Sequence, residues 1–145
     1  MPTQLIRADG LYGGAPYAYA SIAPRGSLIF TAGACPIDAN GEVTAPGDYV
    51  RQAELTVANL AAALAAAGAV LTDVLKTTVY VASSDKNDLY RVWQVVAAAF
   101  GDHDAPSTLL GVTVLGYAGQ LVEIEAVAAA SRTPHKGLMR AKRRG

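Results

Sequence analysis

Glu123 and Glu125 lie two residues apart in the apolar segment Leu121-Val122-Glu123-Ile124-Glu125-Ala126-Val127. Read as a strand, Leu121, Glu123, Glu125 and Val127 share one face, and Val122, Ile124 and Ala126 share the other. A carboxylate flanked by apolar side chains is suited to moving a proton or activating water. It is equally suited to a solvated sheet face or to a contact between subunits. Ser107 and Thr108, after Pro106, offer hydroxyls to a ligand oxygen, or to loose backbone groups at a strand start. Tyr17, after Pro16, either lends a phenol to a site or packs its ring at a strand edge.

Other candidate chemistries find less support. Neither Ser107 nor Thr108 has an evident base, since His103 sits in a polar loop and no triad can be assembled from the sequence. Cys35 reads as a small apolar filler, and as the single cysteine of the chain it has no internal disulfide partner. His103 and His135 lack metal-ligand spacing to any Cys, Asp or Glu, so no metal is expected, and no cofactor is called for.

The elements that must position these residues follow from periodicity. Ala18 to Ala23 and Leu28 to Thr31 flank the turn-forming Pro24-Arg25-Gly26-Ser27 and read as a hairpin. Asp38-Ala39-Asn40-Gly41 is a second turn. Pro46 and Asp48 sit where a helix start tolerates proline and favours a carboxylate. From there Val50, Ala53, Val57, Leu60, Leu64 and Ala67 form one apolar stripe, ended by Gly68. Val74 to Val81 alternates as a strand. Ser83-Ser84-Asp85 caps a second helix, whose stripe is Leu89, Val92, Trp93, Val96 and Phe100. On that stripe Trp93 reads more readily as core than as cleft. Strands over Thr108 to Leu115 and Gln120 to Ala130 complete the order strand, strand, helix, strand, helix, strand, strand. Two helices with similarly directed stripes cover one face of a mixed sheet, an α+β arrangement. The other face is solvated or paired with another subunit.

Composition bounds the class. The chain has 145 residues, 52% of them hydrophobic and 17% charged, enough for one globular domain and hardly for two. The apolar excess fits a subunit that hides surface against copies of itself. Met-Pro-Thr-Gln begins no basic and apolar leader, and the greasiest window, Leu60 to Leu71, is too short to span a bilayer. The expectation is a soluble cytoplasmic protein with no membrane partner. Formal net charge is zero, but six of the twelve basic residues follow Ser131, leaving six basic and twelve acidic residues before it, a formal −6. The expected organisation is one domain over residues 1–131 and a basic, flexible tail over 132–145. Such a tail binds nucleic acid by counterion release or lies against its own acidic body. It carries no aromatic residue for base stacking, so nucleic acid is not the expected partner.

Several segments, in order, resemble the Rid family, the YjgF-like proteins whose best-known members hydrolyse reactive enamines and imines. They are Ala15-Pro16-Tyr17, Phe30-Thr31-Ala32-Gly33 with Pro36-Ile37-Asp38 and Gly41-Glu42-Val43, Asp73-Val74-Leu75-Lys76-Thr77-Thr78-Val79-Tyr80-Val81, Ala105-Pro106-Ser107-Thr108-Leu109-Leu110-Gly111-Val112, and Val122-Glu123-Ile124-Glu125-Ala126. No one piece is diagnostic; their collinearity from around Ala15 to Ala129 is. The resemblance implies a chorismate-mutase-like fold, a homotrimer with its sheets facing inward, and small-molecule ligands in three clefts between subunits. It implies catalytic roles for Glu123 and Tyr17, with Ser107, Thr108, Ala32, Gly33 and Trp93 binding the substrate.

The match is uneven at those positions. Ala32 and Ala34 stand where the family has serine and glutamine, Trp93 aligns with its asparagine, and Ser107 stands in place of its arginine. A guanidinium grips a carboxylate with two charged hydrogen bonds, each worth roughly 1.5–3 kcal/mol; a serine hydroxyl offers one neutral bond. Arg25, Arg51 and Arg91 are possible substitutes, but nothing in the sequence brings them to the cleft. The resemblance therefore implies a Rid protein with hydrolase or deaminase-like chemistry on an enamine, imine or related small molecule, for which the usual 2-imino acids are poor substrates. The alternatives are a non-catalytic ligand-binding or interaction protein of the same fold, and a ribonuclease, for which only the basic tail speaks. Ligand identity and pathway stay open.

Overall fold

The computed structural model describes residues 3–130; the expected flexible tail, residues 132–145, lies outside the described residues. Its elements run β1 (Gln4–Ile6), β2 (Ala20–Ile22), β3 (Leu28–Phe30), α1 (Tyr49–Ala66), β4 (Val74–Val81), α2 (Lys86–Phe100), β5 (Ser107–Gly111) and β6 (Val122–Ala129), with a short 3₁₀ turn, Leu71–Asp73, before β4.

A four-stranded sheet in the order β3-β6-β4-β5 is parallel only between β4 and β5. That parallel pair requires a crossover, which α2 supplies. Both helices pack on one face, as their stripes require. Leu60 and Leu64 of α1 and Val92 and Val96 of α2 are buried against Val79 and Val81 of β4 and Val122 and Ile124 of β6. This is the α+β, chorismate-mutase-like arrangement that the sequence implies.

Local signals account for the helix limits. Asp48 caps α1, its carboxylate accepting from Arg51 N at 2.9 Å, and Asp85 caps α2 by accepting from Asn87 N at 2.9 Å. Gly68, at φ +89°, takes the left-handed turn that ends α1. Pro46 lies outside α1, ahead of its cap. Two polar residues absent from the expected stripe, Gln52 and Thr56, are fully buried on α1.

The expected hairpin does not form. β2 pairs instead with β1, through Gln4↔Ile22 and Ile6↔Ala20, and β3 pairs with β6, through Leu28↔Ala129 and Phe30↔Val127. Pro24 cannot donate to a ladder and Gly26 takes φ +136°, so the linker redirects the chain rather than closing a two-strand turn. The last two strands are shorter than expected. β4 ends at Val81, which leaves the residues after Gly111 little ladder beyond Val112 N to Val81 O, at 2.8 Å.

The second face of the sheet is open. Alternation along β6 turns Val122, Ile124, Ala126 and Ala128 under the helices, and Glu123, Glu125 and Val127 outward. Leu28 and Phe30, 48% and 73% exposed, lie on the same open face by register.

Candidate functional site

The expected site residues form two neighbourhoods on one protomer. The first centres on Glu123. Ala34 and Ile124 exchange backbone hydrogen bonds, 2.7 and 3.1 Å, and this bridge carries Gly33 and Cys35 to the side of the sheet where Glu123 points. The Glu123 Oε1 atom accepts from the Cys35 thiol at 3.1 Å and from Gln120 Nε2 at 3.2 Å. Gln120 is buried and held in turn, donating to Val122 O at 3.1 Å and accepting from Tyr117 N at 3.1 Å. Asn59 of α1 anchors the loop by donating to the carbonyls of Cys35 and Ile37, at 2.7 and 3.1 Å.

Gly33 matters here because of what a side chain would do. A Cβ at this position would stand 2.5 Å from Glu123 Cδ and 2.6 Å from its Oε2. Glycine thus leaves room for the carboxylate and leaves Oε2 without a partner among the described residues. Burial first, then hydrogen bonding to Glu123, push the Cys35 thiol up to about 11. The thiol therefore stays protonated near neutrality, a donor rather than a nucleophile. Ala32, Gly33, Cys35, Asn59 and Tyr117 border a hollow of about 540 Å³ beside it.

The second neighbourhood lies at the edge strand β5. Tyr17, Trp93, Ser107 and Thr108, with Pro16 and Leu109, border a hollow of about 410 Å³. Trp93 belongs to both readings that its position on the α2 stripe allows, half-buried against the core and lining the hollow. Ser107 pairs in register with Thr77, and their hydroxyls hydrogen-bond. Thr108 faces the opposite side, where it accepts from Lys76 Nζ at 2.6 Å. The Tyr17 ring meets Tyr19 edge-on, centroids 5.9 Å apart, and its carbonyl accepts from Arg7, which also pairs with Asp104. The Glu123 and Ser107 groups share no lining residue.

Two cations that sequence reasoning passed over bond to residues around this second hollow. Arg51 pairs with Glu54 and Arg91 with Asp88, and Glu54 and Arg91 line a separate hollow between the helices; Arg25 is exposed in the 24–27 turn. Instead Arg7, on the short strand β1, reaches Asp104, and Lys76 reaches Thr108. A three-residue strand offers no periodicity to flag Arg7, and Lys76 reads as an ordinary outward residue of β4. His103 is structural, its Nε2 bonded to Val74 O at 2.7 Å. On the open sheet face Tyr80 donates to Glu125 Oε1 at 2.6 Å; that bond, ahead of burial, raises the phenol's pKa. Among the described residues no three His, Cys, Asp or Glu side chains cluster as metal ligands would. No described helix is long and apolar enough to cross a membrane.

This mixed sheet with two helices on one face has counterparts among known proteins. Residues 11–130 match the family model described as Endoribonuclease L-PSP. A RutC family protein of Pyrococcus horikoshii is 37% identical over 110 residues, 76% of this chain and 85% of that protein. The 2-iminobutanoate/2-iminopropanoate deaminase of Escherichia coli is 38% identical over 81 residues, 55% of this chain and 60% of that one. The crystal structure of a Rid protein, YyfB of Yersinia pestis, superposes with a TM-score of 0.83 at 29% identity, covering 89% of this chain and 99% of that one. The chain belongs to the Rid/YjgF-like family.

Proposed function

We propose that this protein is a Rid-family hydrolase acting on a small enamine, imine or related metabolite, with Glu123 as the proton-transferring group. The observation that carries this reading is the state of the Glu123 carboxylate: Oε1 is held by two neutral donors, Cys35 and Gln120, and Oε2, over Gly33, has no partner among the described residues. In hydrolysis of an imine, Oε2 takes a proton from water as the oxygen bonds to the imine carbon and passes it to the nitrogen, giving a carbinolamine; Oε2 then carries the carbinolamine hydroxyl proton to the same nitrogen. The C–N bond then breaks, leaving a carbonyl and ammonia. Tyr17, whose hydroxyl has no partner among the described residues, orients the substrate with Ser107 and Thr108.

The reading includes a homotrimer. The exposed Leu28 and Phe30 beside Val127 make the open sheet face apolar enough to be covered by a neighbouring copy, and the proposed ligand cleft lies between the Glu123 group of one subunit and the Ser107 group of the next. It also includes a substrate preference: with Arg7 satisfied by Asp104 and the Tyr17 carbonyl, no unpaired guanidinium among the described residues lines the second hollow. Enamines generated from serine should therefore be hydrolysed with little acceleration, and a large acceleration would defeat the preference. The catalytic role is tested by Glu123→Gln, which should abolish turnover of the true substrate while sedimentation still shows the wild-type assembly. A variant that dissociates or stays active would remove Glu123 from that role.

A second reading, a non-catalytic ligand-binding protein, draws on the apolar lining by Ala32, Ala34 and Trp93. Under it Glu123→Gln leaves ligand affinity and the fold unchanged and no substrate is turned over. Nuclease action, the name carried by the family model, draws only on the basic residues after Ser131; a chain truncated there should keep its cleft function.

A further inference from the structure

The hollow beside Tyr17 and Thr108 continues inward. A second hollow of about 260 Å³ lies between the end of α2 and the start of β5, and shares Pro16, Trp93 and Ser107 with the outer one. Its walls are apolar, made by Val96, Ala97, Phe100 and Ala105. The polar groups on its walls are already partnered: the Ser107 hydroxyl by Thr77, and Asp104 by Arg7. Among the described residues Asp104 is the one charged side chain lining either hollow, and Lys76 bonds Thr108 from the opposite face of the sheet. An anion entering here meets a carboxylate, and among the described residues no cation lines either hollow, whereas an apolar group gains by leaving water. Dry apolar cavities of roughly 150 Å³ take up benzene, so this one has room for a single ring or a branched alkyl group.

We propose that the inner hollow under Trp93 is a specificity pocket for an uncharged apolar substituent, a branched alkyl group or one aromatic ring, carried by a ligand whose neutral polar end stays in the outer hollow with Tyr17 and Thr108. This rests on the reading that the Ser107 cleft holds the ligand, and it adds what that ligand is.

Trp93 is the single tryptophan of the chain and lines both hollows, so its fluorescence reports occupancy of either. The test titrates the full-length protein with acetamide, isobutyramide and benzamide and with the matching carboxylates. Affinity should rise from acetamide to isobutyramide to benzamide, by about fourfold for each methylene-equivalent buried, and each amide should bind more tightly than its acid. Ala97→Phe should fill the pocket, reducing benzamide to the affinity of acetamide and leaving acetamide unchanged; Ala97→Leu should do the same in part, and serves where the larger side chain prevents folding. Ser107→Arg should reverse the preference towards benzoate. Amides that bind without a size preference, acids that bind as tightly as amides, or a benzamide affinity indifferent to both folded Ala97 variants would each overturn the pocket alone. Silence of Trp93 towards all six probes would overturn the pocket together with the cleft it extends. Loss of turnover in Glu123→Gln is decided separately and does not depend on these titrations.

Discussion

The Cys35 thiol and the Glu123 carboxylate share a 3.1 Å hydrogen bond across the β6 face, although they are 88 residues apart in the chain. The bond couples a side chain that reads from sequence as inert filler to the one carboxylate with a claim to chemistry. It holds Oε1 from one side while Gln120 holds it from another.

The coupling has a pH signature. The folded thiol titrates near 11 against an ordinary 9.0, so its contribution to stability is fully present below pH 9 and is lost as pH rises towards 11. Urea midpoints of the wild type should fall over that window more steeply than those of Cys35→Ala, with the Tyr80 phenol adding the same sign above pH 10 in both proteins. Parallel curves would disprove the coupling. Alkylation of native Cys35 at pH 7 should be slow for the same reason.

Gly33 offers a second handle on Glu123. Adding one methyl places a Cβ 2.5 Å from the Glu123 Cδ, and the carboxylate, being the end of a flexible side chain, is the group that gives way. Gly33→Ala should therefore break the bonds to Cys35 and Gln120 and depress turnover as severely as Glu123→Gln, with thermal stability changed by no more than about 1 kcal/mol. Full activity in Gly33→Ala would show that the placement of Oε2 is not needed.

The buried polar pair on α1 separates packing from hydrogen bonding. Gln52 donates to Ala45 O and Gly119 O and accepts from Leu121 N, at 3.2, 3.0 and 2.8 Å, tying α1 to the loop that leads into β6. Gln52→Leu orphans these backbone groups and should cost about 2–4 kcal/mol in chemical unfolding. The hydroxyl of Thr56, one turn on, has no partner among the described residues. Thr56→Val should be neutral or stabilising by about 1 kcal/mol, and a marked loss would reveal a partner for that oxygen.

Periodicity within the chain determined the regular elements. Val74–Val81 and the Leu89-to-Phe100 stripe are visible because side-chain spacing follows local geometry, period two for strands and 3.6 for helices, and the outward face of Glu123 and Glu125 follows from the same alternation. Collinear motifs determined the family and marked Glu123, Tyr17, Ser107 and Trp93 as residues of interest. Tertiary structure alone decided which strands pair: β3 beside β6 rather than β2, because ladder partners are chosen by three-dimensional register and a four-residue linker need not close a hairpin. It alone decided that Glu123 is gripped by Cys35 and Gln120 with Asn59 behind them, and that Arg7 and Lys76, rather than the arginines of the helices, approach the Ser107 strand. Those contacts join residues far apart in sequence, and hydrogen bonds set by the meeting of a loop, a helix and a strand leave no periodic trace in any of the three.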